Sequence, residues 1–375
     1  MNLKRLLKWS AIIIILISLL LWGFTAYWTS TNECSHNAPA PNNPMKGIRY
    51  CEYGSPDVVK LQDVEKPLPN DDQVLIKVCA ASLNAFDAYV IRDSWLGRLV
   101  FGLRKPRDTR LGQDVAGQVE AVGKNVTQFK PGDEVFGISR GALAEYACSR
   151  ERALATKPPN VTFEQAASLP LAGLTALQGL RKGRIQPRQK VLVNGATGGV
   201  GTFAVQIAKS LGAEVTAVCG TRNVDLVRSI GADRVIDYTK EDFTKSDQRY
   251  DVIFDNVCNH SFGERRRVLN AKGICVLAGI GGAGVTGRQA MGRITGNIFT
   301  ARGFSAFGNQ KFAQYRTKTS KQDLIMLGEL VEEGKLRPVI DRTYKLSDAP
   351  DALRYLAEGH ARGKIVIITE RDNKT

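Results

Sequence analysis

Three glycines supply the first chemistry that can be read from this chain. Gly195, Gly198 and Gly201 form a GxxGxxG run inside KVLVNGATGGVGTFAVQIAKSLG, residues 190–212. Val191, Leu192 and Val193 precede them as the short apolar run of a buried parallel strand. Phe203, Ala204, Ile207, Ala208 and Leu211 follow at helical spacing and put one apolar face against a sheet. Glycine at such a turn lets the backbone bend tightly and approach a pyrophosphate, whose charge is then held by the amides and dipole at the helix start. A glycine trio alone is common; the order strand, turn, helix gives it meaning.

The end of the next strand discriminates between dinucleotides. An NAD site places Asp or Glu there, about 20 residues after the glycines, whereas an NADP site needs room and positive charge for the 2′-phosphate. Glu214 to Val218 reads as that strand, and Cys219, Gly220, Thr221 and Arg222 follow it. No acid stands in that place, and Arg222 can offer a planar fork to a phosphate. NADPH is therefore the expected cofactor. The other reading of Arg222 is a solvated residue paired with Asp225. Tyr238, after the third strand, either covers the adenine side or packs in the core.

The elements that must hold this turn extend along the chain. Further strand candidates at 234–236 (RVI), 250–254 (YDVIF) and 273–277 (GICVL) alternate with helical stretches, the pattern of a parallel doubly wound sheet. Asn256 and Val257 follow the fourth strand, and Ala278 and Gly279 the fifth, at the carboxyl ends where ligands bind in such sheets. Earlier, residues 74–79 run apolar and Gly123, Pro131, Gly132 and Gly137 punctuate short strands, so the first part is mostly β until a helical pattern begins near Phe163.

Composition sets the outer limits. At 375 residues the chain is long enough for two average domains. Its 43% hydrophobic and 24% charged residues, 36 Gly and 14 Pro exclude a collagen, a disordered polyampholyte and a disulfide-stapled miniprotein. Seven Cys with no CxxC pair fit neither a complete disulfide framework nor a zinc ribbon, and favour a reduced compartment.

Over residues 48–368 the chain resembles a zinc-independent member of the medium-chain dehydrogenase/reductase superfamily, in the quinone oxidoreductase and enoyl reductase branch. The matching segments are IRYCEYGSPDVVKLQDVEKPLPNDDQVLIKVCAASLNAFD, LGQDVAGQVEAVGKNVTQFKPGDEVFG, LPLAGLTALQGL, VLVNGATGGVG and HARGKIVI. The resemblance implies an α/β chain with a GroES-like, β-rich catalytic domain over 46–168 and a Rossmann NADP-binding domain over 169–300. Residues 301–375 would then return to the catalytic domain, with the nicotinamide in the cleft and a homodimer formed through the Rossmann sheets.

By similarity to that family, Asn84 and Asp87 in SLNAFD face the nicotinamide, and Thr175 in LAGLTAL touches it. The Asn84 amide would donate to a developing enolate or hydroquinone oxygen; Asp87 has an equal reading as a helix cap. Phosphate contacts carry over to Gly198, Gly199 and Val200, with Thr197 at the turn of the cofactor site, and Cys219, Thr221, Arg222 and Tyr238 would surround the adenosine phosphate. Tyr53 reads as a cleft wall or as core. Where zinc-dependent relatives carry their ligands this chain has Asn84, Gly112, Gln113 and Asp114, and its three His have no ligand spacing, so no metal site is expected. Without a Lewis acid, conjugated acceptors such as enones, enals and quinones are the expected substrates.

Lys4, Arg5 and Lys8 precede Trp9–Trp28, a stretch without charge that includes a run of apolar residues from Ala11 to Ile17. Twenty helical residues reach roughly 30 Å, a bilayer's hydrocarbon thickness, so residues 1–30 read as a single-pass transmembrane anchor and 31–45 as a flexible linker. A cleaved signal peptide and a buried core helix are the other readings. The positive-inside tendency would put the body outside, yet NADPH is supplied within, so the cytoplasmic face is expected for the body. From Thr286 to Gln322 seven cations interleave with apolar side chains and no acid, either a lipid-contacting surface or a solvated substrate loop.

The expected function is a membrane-anchored oxidoreductase passing hydride from NADPH to a lipophilic quinone or α,β-unsaturated carbonyl. The alternative is a non-catalytic NADPH-sensing or RNA-associating scaffold, which the net charge of +15 would suit. The chain lacks stacking motifs for RNA, and nucleic acid is not an expected partner.

Overall fold

Lys190–Asn194 forms a five-residue strand whose Val191, Leu192 and Val193 are fully buried. Val191 and Val193 join one hydrophobic cluster and Leu192 another, because successive side chains leave a strand on opposite faces. A strand buried on both faces belongs inside a parallel sheet covered by helices. The computed structural model shows that arrangement; it describes residues 40–279 and 309–369, together with position 18.

In chain order the strands are β1 (Pro44–Tyr50), β2 (Val59–Glu65), β3 (Gln73–Leu83), β4 (Asp114–Val122), β5 (Glu134–Ile138), β6 (Tyr146–Arg150) and β7 (Leu154–Thr156). They continue with β8 (Lys190–Asn194), β9 (Glu214–Cys219), β10 (Arg234–Asp237), β11 (Tyr250–Asp255), β12 (Leu269–Leu277), β13 (Lys311–Gln314), β14 (Ile340–Lys345) and β15 (Lys364–Ile368). One sheet has the order β10-β9-β8-β11-β12-β13, every pair parallel. Its order reverses between β8 and β11, so the carboxyl ends there open a crevice. Strand β13 lies beyond residue 300, inside the stretch expected to return to the other lobe.

The other lobe is β-rich. Strands run β14-β15-β3-β4-β5-β7, with β6 also on β3 and a β1-β2 hairpin beside them. The late strand β15 pairs antiparallel with β3, setting Ile365 opposite Leu83 and Val366 opposite Ser82. That pairing brings the HARGKIVI segment to the SLNAFD loop. The helical pattern near Phe163 resolves into Phe163–Ser168, capped by Thr162 and Gln165, and Pro170–Gly183, which starts where proline's missing N–H costs nothing.

The expected N-terminal transmembrane helix, and the single-pass membrane placement drawn from it, are corrected here. No helix among the described residues is long and apolar enough to cross a membrane. The longest, Pro170–Gly183, has 14 residues and spans about 21 Å, short of the roughly 30 Å a bilayer core requires. The stretch Trp9–Trp28, apart from position 18, lies outside the described residues, as do 31–39 of the linker and 286–308 of the basic segment. Cysteine usage is corrected too. Cys51 is disulfide-bonded, whereas Cys79, Cys148, Cys219, Cys258 and Cys275 are outside any disulfide, so the chain is not wholly reduced.

Candidate active site

The glycine turn has the geometry its spacing implied. Gly195 adopts φ +81°, and a Cβ on Gly201 would lie 2.0 Å from the Gly195 carbonyl oxygen, so the helix Gly199–Ser210 starts hard against the end of β8. A Cβ on Gly198 would meet nothing within 4 Å. The space beside Gly198 is therefore open among the described residues. Thr197, Gly198, Gly199 and Val200 sit there at the positive end of a 12-residue helix.

At the end of β9, Gly220, Thr221, Arg222 and Tyr238 line a cavity of about 670 Å³. Arg222 is exposed and has no ion pair among the described residues; Asp225 lies 3.8 Å from Arg228 instead. Tyr238 is 66% exposed and therefore not a core residue. Thr221 donates to Asp237 at 2.6 Å, and this bond holds the Asp237 carboxyl below the ordinary carboxylate range. Cys219 differs from its expected place, since its side chain packs in the core, where burial pushes its thiol up to about 11.

At the fourth and fifth strand ends, Asn256 and Val257 meet Ala278 and Gly279. Asn256 donates its N–H to the Asn194 carbonyl at 3.1 Å, and Ala278 donates to the Asp255 carbonyl at 2.9 Å. A Cβ on Gly279 would lie 2.0 Å from the Asn256 oxygen, so the two loops are in van der Waals contact. Asp255 fixes this edge and was not foreseen. Its carboxylate accepts from Asn194 Nδ2 at 2.8 Å, from the Val257 and Cys258 amides at 3.2 and 2.8 Å, and from Arg265 Nε at 2.6 Å. Arg265, the first of three consecutive arginines, is fully buried.

Across the crevice, Asn84 begins the helix Ala85–Ile91. Its Nδ2 donates to Asp114 Oδ2 at 2.9 Å, and its Oδ1 accepts from Lys364 Nζ at 2.7 Å. An ammonium only donates and a carboxylate only accepts, so these two partners define which end of the amide is which. The other Nδ2 hydrogen has no acceptor among the described residues. Asp114, with no exposed surface, also accepts from Ser82 Oγ at 2.8 Å, the Leu171 amide at 2.9 Å and Lys364 Nζ at 3.0 Å. Thr175, one helical turn after Leu171, donates to the Leu171 carbonyl at 2.7 Å and lies 3.0 Å from the Thr317 hydroxyl.

Asp87 has the geometry of its capping alternative. One carboxylate oxygen accepts the Asn84 amide at 2.8 Å and the other the Gly112 amide at 3.0 Å, and the residue is 2% exposed. Burial pushes its carboxyl up to about 6, opposed by those two hydrogen bonds. Tyr53 donates to the Gly102 carbonyl at 2.9 Å and packs in the β-rich core. Lys364 and Asp114 are the functional residues that sequence reasoning missed; a lysine heading the apolar run KIVII was the available signal. Among the described residues no three of His, Cys, Asp and Glu gather as metal ligands.

Comparison with known proteins follows the two lobes. A family model described as alcohol dehydrogenase GroES-like domain matches residues 70–159, and one described as zinc-binding dehydrogenase matches residues 230–367. The chain is 36% identical to a 2-methylene-furan-3-one reductase of Solanum lycopersicum, across 89% of this chain and 81% of that one. It is 37% identical to a chloroplastic NADPH-dependent alkenal/one oxidoreductase of Arabidopsis thaliana, across 86% and 79%. Among solved structures, a quinone oxidoreductase from Coxiella burnetii superposes with a TM-score of 0.73 at 31% identity, covering 88% of this chain and 100% of that one.

Proposed function

The chain belongs to the medium-chain dehydrogenase/reductase superfamily, in its quinone oxidoreductase and enoyl reductase branch, and on that footing we propose that it is an NADPH-dependent reductase of quinones or α,β-unsaturated carbonyls. That it is an oxidoreductase follows from the relatives; the acceptor class and the residue roles are our reading. Thr197, Gly198, Gly199 and Val200 would hold the pyrophosphate, and Thr221, Arg222 and Tyr238 the adenosine phosphate. Thr175 would meet the nicotinamide, and Asn256, Val257, Ala278 and Gly279 would bound it at the sheet edge. The bound coenzyme supplies a hydride.

The observation that carries the reading is Asn84, held by Lys364 and Asp114 with one Nδ2 hydrogen that no described residue accepts. In an enone the incoming electron pair arrives at the β-carbon and charge develops on the carbonyl oxygen; in a quinone it develops on a ring oxygen. A fixed N–H aimed at that oxygen stabilises the charge without reorganising. Water supplies the proton that completes the saturated ketone or hydroquinone. The capped Asp87 carboxylate shapes the loop.

The test is NADPH consumption by the purified chain across a panel of enones, enals and quinones, with NADH in parallel. Turnover with at least one conjugated acceptor and a preference for NADPH is expected. A chain that binds NADPH yet oxidises none across the panel would overturn the assignment.

A further inference from the structure

Lys364 is 3% exposed and spans the seam between the lobes. Its ammonium lies 2.7 Å from Asn84 Oδ1 and 3.0 Å from Asp114 Oδ2. Its aliphatic stem crosses the start of the glycine-turn helix so closely that a Cβ on Gly199 would sit 2.7 Å from Lys364 Cδ. The preceding residue, Gly363, donates its amide to the Thr197 carbonyl at 2.7 Å and bridges Gly198. One two-residue segment thus touches the pyrophosphate turn with its backbone and stem, and the reaction loop with its charge.

A buried charge is costly unless it is paired, and Lys364 is paired with Asp114. Asn84 would be bound to Asp114 even without the lysine. What the lysine adds is a donor that only the carbonyl end of the amide can accept, which excludes the flipped rotamer and leaves an N–H, rather than a C=O, facing the acceptor. We propose that Lys364 is a positioning residue, which orients the Asn84 amide for the reduction and couples that orientation to the glycine turn. The inference rests on the reductase reading given above and extends it to a residue outside the cofactor contacts.

Lys364→Met removes the charge at nearly constant length. Since it leaves Asp114 buried without its cation, the double variant Lys364→Met, Asp114→Asn is made beside it, so that no net charge is stranded. In both, kcat with the best acceptor should fall roughly 100-fold, the scale of losing one oriented donor. The dissociation constant for NADPH, read separately by fluorescence titration, should move by less than about fivefold, because the turn itself is intact. Gly199→Ala, which displaces the stem and keeps the charge, should lower kcat in the same direction and also weaken NADPH. If the folded double variant keeps kcat within about threefold of wild type, or loses NADPH binding as steeply as kcat, the positioning role is overturned. A wild-type chain inactive on every acceptor instead overturns the reductase reading on which it rests.

Discussion

Arg265 Nε stands 2.6 Å from Asp255 Oδ2, and the two side chains are 1% and 0% exposed. The pair joins the helix Phe262–Arg267 to the end of β11, and Asp255 in turn holds Asn194 and the amides of Val257 and Cys258. Both Nη groups of Arg265 are buried without a hydrogen-bond partner among the described residues, a cost the ion pair must offset. Truncating one member strands the other. Arg265→Met should destabilise the fold by about 3–5 kcal/mol, while Arg265→Met with Asp255→Asn should lose clearly less. Urea unfolding of the two variants checks this; equal losses would mean the pair contributes only packing.

Arg222 is exposed, without an ion pair among the described residues, and lines the cavity at the end of β9. Arg222→Glu should raise KM for NADPH roughly 10- to 100-fold, the range for a charge-assisted hydrogen bond, and leave NADH nearly unchanged. Steady-state kinetics with both coenzymes decide the matter. Parallel losses for the two would show that Arg222 does not read the 2′-phosphate.

Two glycines three residues apart should behave in opposite ways. Gly198 has φ −75°, an ordinary conformation, and an added Cβ meets no atom within 4 Å. Gly198→Ala should therefore leave thermal stability unchanged or raise it by about 0.4–1 kcal/mol, while NADPH affinity drops as the methyl fills the cradle. Gly201→Ala forces a Cβ to 2.0 Å from the Gly195 oxygen and should unfold the turn itself. Calorimetry paired with coenzyme titration separates binding loss from folding loss.

Asp87 gives a pH signature. Its carboxyl is pushed from the usual 3.8 to about 6, chiefly by burial, so the folded state holds the proton more tightly than the unfolded chain. The resulting stabilisation is complete below about pH 3.8 and is lost as pH rises through about 6, a change on the order of 3 kcal/mol. Relative to Asp87→Asn, wild type should lose stability between those two pH values and hold a constant difference above them. A wild-type curve parallel to that of the variant over the whole window would show that burial does not raise this group.

What could be read ahead of the structure was local. The run Val191–Val193, the glycines after it and the exposed Arg222 lie within about thirty residues, and their periodicity and turn chemistry report directly on one strand, one helix and one pocket. The anchor of Asn84 was hidden because Lys364 stands 280 positions away and reaches it only through the β3-β15 pairing. Arg265 carries no local signal of its burial, because three consecutive arginines look solvated although a helix turns only one of them toward the sheet. Tyr238 and Asp87 each had two readings, and exposure in one case and two backbone amides in the other distinguish them. The transmembrane expectation rested on an uncharged apolar stretch behind three cations, nearly all of it outside the described residues.

The seam at Gly363 and Lys364 also orders assembly. A joint between positions so far apart forms only after the intervening loop entropy has been overcome, and the same closure lays β15 against β3 to finish the β-rich sheet. A chain caught midway would already own the glycine turn while its Asn84 amide, tied to Asp114 alone, still lacked the lysine that fixes its carbonyl end. Competence to reduce is thus a property of the finished knot rather than of either half.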